Sequence, residues 1–359
     1  MTAKTKKTKK YNTRDSRVEL LRILACLFVV TLHTKSSSSV DGVPVFGRVM
    51  FSNLIADGVS VFLLITGFYF FSRSSYLYRL KRLIVKIFIP TFLYILFLLL
   101  LPVLQNTPLD LEAIGSSLLA CITRWEPYIH NSGHLWYMFV YMLIVAVSPV
   151  LQLIHDKLLD NSAGRAVILT ATFAMLLAND ITGNAIFQSS QVPLRAFAPA
   201  CLIVLSGSAL YEIRKLYEGK FFVGIAALAV YVGINIFRSA AIAGGRITVS
   251  DAVFCCQGWV CAICLCILFL SFKRPRGGFA RAVNSIASTT SGVYILHVWM
   301  NEMLYEWGFK LWLVGLICDG SENFSEYMKF CTIYPAAVFA ICAIVTAVIR
   351  WPFKSLRKG

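Results

Sequence analysis

Apolar residues form long, nearly unbroken blocks along most of this chain. Blocks such as 23–32 and 85–104 lack the regular return of polar residues that marks a surface helix or a half-exposed strand. A helix needs about 20 mostly apolar residues to cross a bilayer. The pattern predicts ten spans. They are residues 18–34, 54–71, 83–104, 135–154, 166–179, 196–211, 221–237, 252–272, 286–303 and 330–349. The apolar run 311–318 is too short to cross, so we expect it to be re-entrant or interfacial.

Composition supports an all-α, polytopic membrane bundle. Hydrophobic residues make up 58% of the chain and charged residues only 14%, whereas a soluble domain has about a quarter charged residues. These values argue against a soluble enzyme, a nucleic-acid-binding protein and a disulfide scaffold. Most of the eleven cysteines lie in apolar runs. Cys261 and Cys264 form a CxxC without a second ligand pair, so we expect no metal site.

The net charge of +16 is explained by topology. With a cytoplasmic N-terminus, the ten spans place 25 Lys and Arg inside and 8 outside, and Arg22 lies within a span. Positive residues collect on the cytoplasmic side, so both termini are predicted to be inside. We divide the chain into a disordered basic arm (1–17), one membrane domain (18–350) and a basic cytoplasmic tail (351–359), with no internal repeat.

The first span carries a polar stripe made of Glu19, Arg22 and His33. Eleven residues separate Arg22 from His33, which returns them to nearly the same helix face about 16 Å apart along the axis. Glu19 lies three residues before Arg22 and can pair with it. Two interpretations fit this spacing. The stripe either faces a polar site inside the bundle, or Arg22 extends to the inner interface while His33 ends the helix outside.

Three of the five histidines fall at a similar depth toward the outer side. His297 lies deep in the ninth predicted span, after the polar run 288–291, and His134 opens the fourth. Together with His33 they indicate proton chemistry or ligand contact. The alternative for His134 and His297 is a structural role as hydrogen-bonded packing residues.

Arg79 and Arg82 precede the third span on the predicted cytoplasmic side. Their i, i+3 spacing places them on one helix face, where two guanidinium groups can hold phosphate oxygens. Ordinary topogenic charge is the alternative.

In combination these segments resemble the membrane acyltransferase type 3 family, whose multi-span members O-acylate glycans and other cell-surface molecules. The resemblance covers about residues 18–300, and within the family the chain looks similar to the stand-alone subgroup that includes the enterobacterial common antigen O-acetyltransferase. Ser60 and Thr66 depart from the family pattern, which has Asp and Ser there, so no role is carried over for that acidic position. The matching segments are Glu19 to Ala25 with His33, Gly58 to Phe68, Arg79 with Arg82, His134 to Tyr137 with Ser148-Pro149, and Gly292 to His297.

The resemblance implies a multi-pass bacterial enzyme of the plasma (inner) membrane that uses acyl-CoA, with acetyl-CoA expected, as co-substrate and has no permanently bound cofactor. It implies His33 and Arg22 as catalytic residues and Arg79 and Arg82 as contacts to the CoA phosphates. We expect Glu19 to support Arg22. The acceptor, a surface glycan or lipid-linked sugar, is expected to lie in a pocket formed by His297, His134, Trp136 and Tyr294.

A transporter is the alternative of a different class. Intramembrane Arg and His can bind an anion or relay protons in a secondary carrier. The sequence shows neither an inverted repeat nor the Gly- or Pro-broken helix pairs typical of such carriers. The pattern therefore favours the enzyme, and it does not fix the acceptor, the acyl chain or the oligomeric state.

Overall fold

The computed structural model describes residues 15–71, 75–104, 111–123, 125, 129, 131–182, 186, 192–246, 255–318 and 323–355. Over these ranges the chain is helical, apart from short connections and one antiparallel hairpin of β1 (Ser39–Val40) and β2 (Val43–Pro44). The first eight helices are α1 (Ser16–Thr34), α2 (Phe46–Leu54), α3 (Gly58–Phe70), α4 (Tyr76–Leu83), α5 (Ile89–Leu104), α6 (Leu111–Thr123), α7 (Trp136–Ala146) and α8 (Ser148–Leu158). The others are α9 (Ser162–Ile181), α10 (Val192–Glu212), α11 (Phe221–Ala243), α12 (Cys256–Ser271), α13 (Gly277–Ala287), α14 (Thr290–Glu306), α15 (Phe309–Ile317) and α16 (Phe324–Ser355).

Each predicted span overlaps helical structure. Within the described residues, six helices are long and apolar enough to cross a membrane, or seven if the bent pair α7–α8 counts as one span. Three other predicted spans are also helical but are not among these six or seven. α1 is not counted because it carries three charged residues, and α12 and α14 are not counted because they have only 16 and 17 residues. The protein is thus an all-α membrane protein, while the count of ten crossings and the orientation of the termini stay predictions.

The fourth predicted span is broken. α7 and α8 meet at Val147 with a bend of 65°. Pro149 lies in the first turn of α8, where its missing N–H costs no helical hydrogen bond. We expected no helix pair broken at Gly or Pro, and this expectation is wrong, because α7 and α8 form such a pair.

The N-terminal helix begins earlier than predicted. The Asp15 side chain accepts a hydrogen bond from the Arg17 backbone N–H and caps α1. Arg17 is buried, donates to the carbonyls of Leu270 and Phe272, and forms ion pairs with Asp15 and Glu218. The boundary of the disordered arm at residue 17 is thus wrong, because Asp15 to Arg17 belong to a packed helix start. Residues 1–14 of that arm lie outside the described ranges.

Asp15 titrates below its ordinary range. Burial alone would raise its pKa, but hydrogen bonds and charge from Arg17 outweigh burial and leave the pKa of Asp15 lowered. Its stabilising contribution is therefore present above about pH 3.9, the ordinary value for Asp, and is lost as the pH falls through the lowered pKa.

The C-terminal regions also differ from the expected boundaries. α16 continues to Ser355, so the first five residues of the predicted tail extend the last helix, and 356–359 lie outside the described ranges. The short apolar run 311–318 forms most of α15, which packs against α14 and α16. Lys310 in α15 lies over the rings of Phe330 and Tyr334 at 5.6 and 5.5 Å.

Two apolar clusters share α1 as a common wall. Leu21, Ala25 and Val29 of α1 belong to the cluster that also contains α3, α7, α10 and α12. Cys26 and Val30 belong to a second cluster with α14, α15 and α16. The two sets point about 120° apart around the helix, and Arg22 and His33 lie in the direction between them.

α3 and α10 approach each other closely through two glycines. A methyl group on Gly67 would overlap the Val204 carbonyl oxygen, and one on Gly207 would overlap the Leu64 carbonyl oxygen. Because the obstructing atoms are backbone atoms, no side-chain rotation can relieve the overlap.

We expect Gly67→Ala to destabilise the fold by about 1–3 kcal/mol, since α3 and α10 must separate to admit the methyl group. Thermal unfolding of the purified protein in detergent measures the effect. Gly233→Ala is the matched control, because a methyl group there in α11 meets no atom within 4 Å. Equal unfolding temperatures for the two variants would contradict the close approach.

Candidate functional site

Three histidines from three separate helical segments meet at one end of the bundle. The ring centroid of His33, at the end of α1, lies 6.1 Å from that of His134 and 5.1 Å from that of His297. The centroids of His134 and His297 are 4.8 Å apart. His134 and His297 are buried, whereas His33 is exposed. We call this group the histidine cluster; one of its members is open to a ligand.

Backbone carbonyls fix the tautomers of the two buried imidazoles. His134 Nε2 lies 3.1 Å from the Ile295 carbonyl oxygen, and His297 Nδ1 lies 2.8 Å from the Tyr294 carbonyl oxygen. A carbonyl oxygen only accepts, so each of these nitrogens carries the proton. The other nitrogens, His134 Nδ1 and His297 Nε2, are buried without a hydrogen-bond partner. In neutral rings they are two unused lone pairs beside His33.

Aromatic side chains enclose the cluster. The Tyr294 hydroxyl donates to the His134 carbonyl oxygen at 2.7 Å, which ties α14 to the start of α7. The Tyr294 ring contacts Tyr137 at 5.6 Å and Phe62 at 6.3 Å between centroids. Tyr94 of α5 lies 6.2 Å from His134, and its hydroxyl is buried without a partner. The two buried histidines therefore have mainly aromatic neighbours.

Arg22 lies on the same helix as His33 but toward the other end. Its Nη1 is 2.7 Å from Glu19 Oε2, so the i, i+3 pair expected from the sequence forms. The Glu19 side chain is buried and that of Arg22 is 25% exposed. A rise of 1.5 Å per residue separates Arg22 from His33 by about 16 Å along the helix axis. Arg22 thus belongs to the opposite end of the bundle, which we call the arginine end, together with Arg17, Arg79 and Arg82.

One accessible stripe on α3 connects the two ends. Every residue of α3 is buried except Phe62, Thr66 and Tyr69. Their i, i+4, i+7 spacing puts them on one face. Phe62 packs against both apolar clusters, so the stripe begins at the seam between them. This α3 stripe, Phe62, Thr66 and Tyr69, is the accessible face of α3, and it runs from the aromatic residues beside the histidine cluster toward the arginine end.

Arg79 and Arg82 occupy α4 at the arginine end. Arg79 Nη1 donates to the Phe70 carbonyl oxygen at 3.2 Å and to Gln152 Oε1 at 2.9 Å. Arg82 is exposed, and its guanidinium lies 5.7 Å from the Tyr78 ring centre. Arg79 therefore has a packing role in addition to any ligand role, and Arg82 is the more available cation.

The remaining sequence candidate, Trp136, begins α7 next to His134. It is partly buried and lies edge-on to Tyr137 at 6.3 Å. Sequence reasoning missed Tyr94, Phe62 and Tyr137 as neighbours of the cluster. Phe62 and Tyr137 stand within the segments that carried the family resemblance, whereas Tyr94 is signalled only by a hydroxyl within the apolar run 85–104.

The type 3 acyltransferase family model, described as an acyltransferase domain, matches residues 15–350. The chain belongs to this family. The match covers all the histidines of the cluster and both ends of the α3 stripe, so this membrane protein is an acyltransferase. No curated protein and no solved structure is significantly similar to the chain. Ser60, where the sequence departs from the family pattern given above, has a hydroxyl that is buried without a hydrogen-bond partner.

The geometry suits acyl transfer in two respects. An exposed imidazole with buried imidazole neighbours can take a proton from a hydroxyl nucleophile at neutral pH. An accessible stripe that runs from the aromatic residues beside the cluster toward a group of arginines offers a surface for an elongated molecule with an anionic end.

Proposed function

We propose that this acyltransferase moves an acyl group, with acetyl the simplest candidate, from acyl-CoA to a hydroxyl of a surface glycan or glycolipid at the plasma (inner) membrane. The observation that carries the proposal is the histidine cluster, with His33 exposed beside two buried lone pairs. The α3 stripe supports a donor that enters from the arginine end, where the CoA phosphates meet Arg79 and Arg82.

His33 is the proposed general base. It removes the proton of the acceptor hydroxyl as the oxygen attacks the thioester carbonyl; the carbon–sulfur bond breaks, and CoA leaves as a thiolate that takes up a proton. A relay in which His33 first carries the acyl group as an acyl-imidazole gives the same products. Both routes use the same three imidazoles.

Arg22 is proposed to act on the donor. Its distance of about 16 Å along α1 is too great for a direct contact with the carbonyl oxygen at His33. Its exposure beside the α3 stripe suits a contact with the donor's polar arm or phosphates. The buried Glu19 holds the guanidinium in place for that contact.

We expect His33→Ala to lower acyl transfer at least about 100-fold, because general-base catalysis contributes on that scale. Release of CoA thiol from acetyl-CoA by the purified protein, with and without extracted glycolipid, measures the loss. His155→Ala is the matched control: His155 stacks on Phe71 at 4.6 Å, away from the cluster. A folded His33→Ala protein with wild-type turnover would remove His33 from the mechanism.

His297→Asn and His134→Gln separate acceptor orientation from donor activation. The amide nitrogen of each introduced side chain can still donate to the carbonyl of Tyr294 or Ile295, while both variants remove the imidazole lone pairs. We expect transfer to the glycan to fall about 10-fold more than hydrolysis of the donor by water, the effect of one lost hydrogen bond to the acceptor. If both reactions fall together with the yield of folded protein, the two histidines are packing residues.

Arg82→Ala is expected to raise the KM for acetyl-CoA about 10-fold with little change in kcat, because it removes a phosphate contact far from the reacting carbon. Arg82→Ala with Arg79→Ala should have a larger effect but also disturb α4, since Arg79 bonds to Phe70 and Gln152. Lys81→Ala removes a neighbouring exposed charge as the control. An unchanged KM in Arg82→Ala with normal membrane orientation would identify these arginines as topogenic only.

A further inference from the structure

Tyr69 ends the α3 stripe at the arginine end and is its most accessible member, since 39% of the residue is exposed. The Tyr211 ring of α10 lies 5.9 Å from it between centroids. The Arg214 guanidinium covers the Tyr211 ring at 4.0 Å and donates to the Tyr211 carbonyl oxygen at 2.7 Å. We call Tyr69, Tyr211 and Arg214 the aromatic platform.

Charged side chains of both signs lie near this platform. Asp15, Arg22 and Glu19 all act electrostatically on the Tyr69 hydroxyl, and Arg82 and Arg22 act on that of Tyr141 in α7. Glu19 pairs with Arg22, and Glu218 is shared between Arg17 and Arg214. Arg82 adds an exposed cation. Aromatic rings and a stacked guanidinium thus lie at the arginine end beside arginine–carboxylate pairs, and Arg82 supplies an exposed cation at the same end.

This combination suits a nucleoside phosphate. A purine ring can stack on a tyrosine ring or on a guanidinium plane, and the phosphates of the nucleotide can pair with arginine. A lipid tail would use the apolar rings but not the guanidinium stacked on Tyr211 or the charged side chains beside Tyr69. A platform at the end of the α3 stripe is the expected position for the bulky end of a molecule whose narrow arm follows the stripe.

We propose that the aromatic platform binds the adenine nucleotide of the acyl-CoA donor, with the purine stacked on Tyr69. This inference rests on the proposed function for the identity of the donor. It adds a binding site to the phosphate contacts at Arg79 and Arg82 and makes Tyr69 a specificity residue for CoA over shorter thioesters.

A comparison of two donors tests the proposal on the full-length protein in detergent. Acetyl-CoA carries the nucleotide, and S-acetyl-pantetheine lacks it but has the same arm and thioester. We expect Tyr69→Ala to raise the KM for acetyl-CoA about 10-fold or more and to leave the KM for acetyl-pantetheine within about twofold. Tyr69→Phe should keep the wild-type ratio, because the ring is retained. Tyr76→Ala is the matched control, since Tyr76 is a tyrosine of similar exposure (36%) in α4.

Other outcomes would overturn the proposal. An equal rise for both donors would place Tyr69 on the arm or in the fold, and no change for either would make it an interfacial aromatic residue. Binding of adenosine 3′,5′-bisphosphate, measured by calorimetry, is independent of turnover: Tyr69→Ala should weaken it about 10-fold. Absence of binding to the wild-type protein would end the proposal. If Tyr69→Ala turns over both donors with the wild-type ratio of KM values, the aromatic platform is wrong but the proposed function stands. If the wild-type protein turns over neither donor, the proposed function itself is wrong.

Discussion

The position of the first helix depends on one buried guanidinium. Arg17 donates to the carbonyls of Leu270 and Phe272 at the end of α12 and pairs with Asp15 and Glu218. A buried arginine is tolerated only when its donors are satisfied, so this contact fixes both the depth and the rotation of the helix start. The two apolar clusters bury faces of α1 on either side of Arg22 and His33, and this leaves those two side chains a single direction.

The chemistry at the other end is set by main-chain geometry. The carbonyls of residues 294 and 295 each bond one imidazole nitrogen and thereby decide which nitrogen of His134 and His297 is left with a lone pair. Side-chain identity alone would leave the tautomer of each ring open. Two neutral rings whose buried lone pairs have no partner can accept hydrogen bonds from hydroxyl groups and do not attract anions, which agrees with the hydroxyl acceptor proposed above.

Much of this arrangement could be predicted from the sequence. Periodicity placed Arg22 and His33 on one face of α1, and depth counting brought His33, His134 and His297 to one level, because both depend only on helix rise and turn angle. The bend at Val147 and the extra helical residues at Asp15 and beyond 350 were missed, since they depend on packing between distant segments. Tyr69 and Tyr211 were missed for the same reason: they are 142 residues apart.

Between α4 and α5 the helix contains a π-helical stretch, Ile84–Phe88. Such a stretch accommodates one more residue than regular α-helical geometry, and it is frequent at functional sites. Without that residue, everything after Phe88 would turn by about 100° relative to α4. The orientation of Tyr94 toward the histidines and that of Arg82 at the other end are therefore coupled through a single helix register. A deletion inside the stretch would move one of these side chains out of place while the helix itself stayed continuous.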